Sequence, residues 1–185
     1  PLLPKTSGYY CIRPIYNLTG LGLYARKMYI DVNDVNMMYG LHPGEFWTEW
    51  WTGDQYSIDY IWHNGWQPIH AAIGINNDDN LLKFDSWHKV DPPNFKLPSL
   101  LNELKDNEIL NIEFIDSKII EVHLRLGNVF GDWLDTDDAT TLIPAWKSKY
   151  EVEAQQREQD GWKFKKDYDH GFSYIEEPRI GFWYK

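Results

Sequence analysis

Residues 111–125, NIEFIDSKIIEVHLR, decide the fold. Two short β-rich runs, 109–115 and 118–127, flank Asp116-Ser117, a pair suited to a tight turn, so the stretch predicts two antiparallel neighbouring strands. Side chains alternate along a strand, which sets Ile112 and Phe114 on one side and Asn111, Glu113 and Ile115 on the other. The same alternation groups Glu121, His123 and Arg125. Two acids on adjacent strands can then converge, in company where a sheet rarely needs acids.

Working outward, the turn-rich segments 75–80 and 89–98 are loops. YYCIRPIY predicts a strand ended by Pro14, and FWTEWWTG predicts another. QYSIDYIWHNGWQPIHAAIGI predicts a hairpin turning at His63-Asn64-Gly65, because Asn-Gly accepts the positive φ that tight hairpins need. DVNDVNMMYGL fits a short helix or an irregular connection. LPSLLNELKDN, with Leu100, Leu101 and Leu104 at helical spacing, predicts a short amphipathic helix. IPAWKSKYEVEAQQREQDG predicts a second helix, with Pro144 near its start and Gly161 at its end. IGFWYK predicts a closing strand.

The 185 residues suffice for one domain, or two small lobes, with a buried core. Ten Trp, twelve Tyr and eight Phe exceed a minimal core, so some should line a surface or pocket, and a carbohydrate-binding face is one reading of them. A net charge of −10 argues against a phosphate-backbone partner and hence against nucleic acid. A single cysteine, Cys11, excludes an internal disulfide framework and fits a reducing compartment, with cytoplasm the expected location. No apolar run is long enough to span a bilayer. Zinc-type His/Cys spacing and a Gly-X-Ser-X-Gly elbow are both missing from the sequence.

Five segments, in order, resemble the ATP-grasp superfamily of carboxylate–amine ligases, closest in pattern to D-alanine ligase and carbamoyl-phosphate synthetase domains. Arg13-Pro14 followed by Gly20 and Gly22 resembles its Lys-Pro strand and phosphate-covering loop, with Arg13 in place of lysine. Glu49-Trp50-Trp51 followed by Gln55 resembles the hinge that reads adenine and ribose. Phe84–Lys89 resembles the stretch whose lysine, here Lys89, contacts the terminal phosphates. Asn-Ile-Glu-Phe and Ile-Glu-Val-X-X-Arg resemble the two metal-binding strands, so that Glu113 and Glu121 would bridge Mg²⁺ to the nucleotide. His123 stands where the family has Asn, and Arg125 matches an arginine that neutralises phosphate charge.

The resemblance, over residues 9–130, implies an α+β fold of two lobes with antiparallel sheets enclosing a nucleotide cleft. Residues 1–50 would form the small lobe and 51–185 the large one. It implies Mg-dependent ATP binding and ligation of an unidentified carboxylate through an acyl phosphate, with Arg125 and Lys89 in catalytic roles. An upstream domain would also be expected before the Lys-Pro strand. The replacements at Arg13, Gln55 and His123 leave an alternative, a catalytically degenerate protein with a structural or interaction role. On the blandest alternative, Glu113 and Glu121 are solvent-face residues of an edge hairpin.

Overall fold

The computed structural model describes residues 4–16, 24–34, 42–76, 84–134, 136, 138–167 and 179–185. Gly20, Gly22, most of the 31–41 stretch and part of the 75–80 loop lie outside these residues. Contacts divide the chain into two compact units, one within Pro1–Thr52 and one comprising Gly53–Asp78 and Phe84–Lys185. Among the described residues, no helix is long and apolar enough to cross a membrane.

In the first unit, β1 (Gly8–Pro14) lies between β2 (Arg26–Ile30) and β3 (Glu45–Glu49), antiparallel to both. Alternation buries Tyr10, Ile12 and Ile30 with Met28 and Trp47, while Tyr9, Cys11 and Arg13 point to the other face. On the buried side, the Arg26 guanidinium grips Glu45 through two hydrogen bonds of 2.6 and 2.9 Å. That fork holds the Glu45 carboxyl at a pKa of about 2.

The second unit is built on an eight-stranded sheet ordered β10-β11-β9-β6-β5-β4-β7-β8. Its strands are β4 (Gln55–Trp62), β5 (Trp66–Ile75), β6 (Ser86–Val90), β7 (Ile109–Ile115), β8 (Lys118–His123), β9 (Thr141–Trp146), β10 (Lys163–Lys166) and β11 (Arg179–Tyr184). Every described pairing is antiparallel. The β4–β5 turn occurs at the Asn-Gly pair, where Asn64 and Gly65 have φ of 55° and 141°.

One face of this sheet buries Ile58, Tyr60, Ala71, Leu110, Ile112 and Phe114. Residues 99–107 cover it, but as a 3-10 helix rather than an α-helix. Three residues per turn align Leu101 and Leu104 over the core and leave Leu100 75% exposed, so the expected three-leucine stripe is reduced to two. On the other face, Ala72, Leu142 and Phe182 pack with Trp133 of α1 (Asn128–Leu134).

The second α-helix, α2, spans Lys147–Gln159, and Pro144 belongs to β9 instead of the helix start. Among the described residues, β6 pairs with β9 at Thr141 and Leu142 and not at Pro144, where β11 is the strand partner, so the missing N–H is tolerated. Tyr150 of α2 stacks on the fully buried Trp183 at 5.6 Å.

The β7–β8 hairpin carries an irregularity. Phe114 pairs with Ile119 and Glu113 with Glu121, so Ile120 is an extra residue taken up in a bulge. Such a bulge shifts the register by one. A regular ladder would bring Glu121 opposite Ile112, on the core face; the bulge instead turns Glu121 and His123 to the face of Glu113 and Asn111. Val122 takes the place opposite Ile112.

Deleting Ile120 should therefore keep the native pairing beyond it and cost at most about 2 kcal/mol, the loss of one half-buried side chain. Deleting Val122 would turn His123 toward the core and should cost more than about 3 kcal/mol. Urea denaturation of the two deletions is the test, and equal losses would contradict the bulge.

Candidate functional site

Residues directly opposite on neighbouring strands share a face. Lys89, Ala72, Ser57, Glu113 and Glu121 form one continuous row across β6, β5, β4, β7 and β8. The next row runs His70, Asp59, Asn111, His123. Gln55, two residues before Ser57, lies on the same face. Gln55, Lys89, Glu113, Glu121 and His123 thus occupy one face of one sheet.

They do not all meet. Glu113, Glu121 and His123 offer donor atoms that all lie within 4.8 Å of one another. His123 Nε2 is 3.4 Å from Glu121 Oε2 and 3.7 Å from Glu113 Oε1, and the three side chains are only 19–27% exposed. Lys89 is three strands from Glu113, roughly 14 Å at the usual strand spacing. The middle of the row is covered, because Trp133 packs with Ala72, and Gly127 lies against Ser57 and Asn111. Lys89 and the acids therefore flank α1 and its approach.

Arg125 also departs from expectation. β8 ends at His123, so alternation does not extend to Arg125. Its guanidinium is exposed and donates to the Leu126 carbonyl at 2.9 Å and to Asn128 Oδ1 at 3.1 Å, tying down the entry to α1.

Arg13, Glu49, Trp50 and Trp51 belong to the first unit. Arg13 lies beside Phe46, its guanidinium carbon 5.8 Å from the ring centroid. Glu49 ends β3 and is exposed, while the half-buried Trp50 ring carries the Lys27 ammonium at 4.7 Å. Trp51 is half-buried just beyond the strand.

The sequence reading missed a buried polar group beneath the three donors. Asp59, 1% exposed, accepts from the Gly127 N–H at 2.7 Å and from Asn111 Nδ2 at 3.1 Å, and its second oxygen lies 3.3 Å from His70 Nδ1. Asn111 Nδ2 also donates to Ser57 Oγ at 2.9 Å. A buried carboxylate is tolerable only with partners of this kind. The group fixes Asn111 opposite His123 and pins the chain between β8 and α1. The available signal was SID in β4, polar residues alternating through an otherwise apolar strand.

The carboxylate of Glu113, and then that of Glu121, raise the His123 pKa to about 9. At neutral pH the ring is therefore a cation between two carboxylates, which offsets their mutual repulsion. A histidine raised above its unfolded value of 6.5 stabilises the fold fully below that value, and the contribution is lost as pH climbs through about 9.

In protein stripped of divalent ions, the His123 ring should titrate near 9 by NMR, and Glu113→Gln or Glu121→Gln should move it back toward 6.5. Titration near 6.5 in the unaltered protein would contradict the ion cluster. Gly127→Ala would place a Cβ 2.7 Å from Asn111 Nδ2 and should cost about 1–3 kcal/mol in urea denaturation. A neutral result would mean that this approach is looser than described.

No protein-family model and no curated protein matches the chain by sequence. Among solved structures, the ADP complex of N5-carboxyaminoimidazole ribonucleotide synthetase matches it with a TM-score of 0.55 at 11% identity. The match covers 97% of this chain and 62% of that one, so the chain spans less than two thirds of the synthetase's length. At this identity the likeness carries the architecture alone: the chain has an α+β, ATP-grasp-like fold with antiparallel sheets.

Proposed function

We propose that this protein binds ATP together with a divalent cation, Mg²⁺ in the first instance, and acts as a carboxylate–amine or thiol ligase. The observation that carries the reading is the convergence of Glu113, Glu121 and His123 on paired strands of an ATP-grasp-like fold. Two opposed carboxylates suit a hard dication, which would supply neutralisation of phosphate charge. Glu113 and Glu121 would hold it. The cations Arg13, Lys89 and Arg125 would bind and orient the phosphates, and Gln55 the ribose.

In such a ligase the γ-phosphoryl group passes from ATP to a substrate carboxylate with release of ADP, and an amine or thiol then displaces phosphate from the acyl phosphate. Catalysis is chiefly positioning and charge neutralisation, which is work these residues can do without covalent chemistry of their own. The carboxylate and its acceptor are unassigned.

A second reading, a nucleotide-free structural protein of the same fold, is favoured by two observations. The His123 ring already ion-pairs with both acids, and α1 stands between Lys89 and those acids. Ligand binding separates the two readings.

At a hundredfold excess over its dissociation constant, Mg·ATP should stabilise the protein by about 2.7 kcal/mol, measured by thermal denaturation. No shift at millimolar nucleotide would leave the structural reading. In calorimetry, Arg13→Ala and Lys89→Ala should each weaken ATP more than adenosine, since both are assigned to phosphates. Equal weakening of the two ligands would remove that residue from the phosphate site.

A further inference from the structure

We infer that the second unit carries a further binding pocket, for a neutral, hydroxyl-bearing ring of monosaccharide size, on the sheet face opposite the acids. The inference goes beyond the proposed function and does not rest on it.

The pocket encloses about 280 Å³ and is lined by β4, the start of β5, the segment 91–98 and the 3-10 helix. Tyr60 belongs to the apolar face with Ile112 and Phe114, whereas Glu113, between those two, takes the other side. Asp59 pairs with His70 but Tyr60 with Pro68, so Ile69 is taken up in a bulge, which brings Pro68 and Trp66 to the face of Tyr60. Residues 91–98 add Pro93, Phe95 and Leu97 to the walls.

These walls are fixed in place. Trp66 Nε1 donates to the Leu101 carbonyl at 3.0 Å, tying β5 to the 3-10 helix. The Phe95 ring lies 4.9 Å from that of Phe114 and meets Tyr56 edge-on at 5.5 Å. Pro92, Pro93 and Pro98 restrict the backbone of the segment, so little ordering is needed on binding.

The chemistry of the lining selects the ligand. Its rings, Trp66 and Phe95, offer apolar surface to the C–H face of a sugar. Its polar side chains are the amides of Gln67, Asn94 and Asn102 and the Tyr60 hydroxyl, and none of the lining side chains is charged. Amides and hydroxyls both donate and accept, as sugar hydroxyls do, while an ion would lose its water with no opposite charge to meet it. Tyr60 is 2% exposed, and its hydroxyl has no hydrogen-bond partner among the described residues. Burial raises its pKa above the ordinary tyrosine value, so the hydroxyl keeps its proton at neutral pH. An unpaired buried hydroxyl is costly, and a ligand hydroxyl bonded to it would remove that cost. The volume lies near the lower end of the range for small-molecule sites, about 300–1,000 Å³, and suits a single ring.

The test is saturation-transfer NMR on the full chain, with glucose, galactose, mannose and N-acetylglucosamine as probes and glucosamine, glucuronic acid and uracil as comparators. At least one neutral sugar should bind, about fivefold or more tightly than every comparator. Tyr60→Phe should weaken that sugar by about fivefold to tenfold, yet leave the ligand-free protein at least as stable in urea, because the hydroxyl it removes has no partner there. Asn102→Ala, at an exposed position, should weaken the sugar by about threefold or more with stability unchanged. No binding of any neutral sugar, a comparator that binds as tightly, or unchanged sugar affinity in both variants would overturn the inference. So would a loss of stability in Tyr60→Phe, since the hydroxyl would then already be satisfied within the fold.

Discussion

The one-residue bulge at Ile120 sets which side of the second unit's sheet is chemical and which is core. Because a strand has a period of two, one extra residue reverses every side chain that follows it. Absorbing Ile120 in a bulge puts Val122 opposite Ile112, over the apolar face, and puts Glu121 and His123 opposite Glu113 and Asn111. Without that step, a glutamate would be driven against Leu110, Ile112 and Phe114, a desolvation cost that a domain of ordinary stability could not absorb. The apolar face and the acid pair are therefore consequences of one register.

The polar face has its own reason to be rigid. Asp59 is nearly sealed from water; one of its oxygens accepts from the Gly127 backbone and the Asn111 amide, and the other lies 3.3 Å from the His70 ring. Through Gly127 this carboxylate fixes the start of α1, and through Asn111 it fixes the residue opposite His123. From the other end of α1, Arg179 binds Asp132 at 2.8 Å and also grips Asp167 at 2.7 Å, joining the helix to the end of β10 and to β11. The short helix is thus tethered at both ends beside the three donors. That suits a site whose side chains must hold their spacing, and it also explains how the row between Lys89 and the acids comes to be covered.

Much of this was legible in the sequence, for identifiable reasons. The Asn64-Gly65 turn, the Asp116-Ser117 turn and the strands around them follow from local chemistry, and Asp116 indeed takes a positive φ of 51°. Periodicity groups residues within one strand but says nothing about a bulge between two, so the pairing of Glu113 with Glu121 was foreseeable only as a possibility of convergence. It also overreached at Arg125, because the strand stops at His123. Pro144 carried a helix-start signal that the tertiary setting of β9 overrode, and α1, seven residues long with Gly131 inside it, is too short to show a period. Asp59 and His70 went unread since a buried polar group gains its meaning only from partners distant in sequence.

On the proposed function, the bulge-presented acids are where the nucleotide's phosphates and their metal ion would bind. Mn²⁺·ATP added to isotopically labelled protein tests it directly, since the paramagnetic ion broadens the amide signals nearest to it. Selective loss of the Glu113, Glu121 and His123 signals is expected at substoichiometric Mn²⁺·ATP, with α2 signals such as those of Glu151 and Glu158 untouched. Broadening spread over exposed acids, or none on β7 and β8, would contradict it.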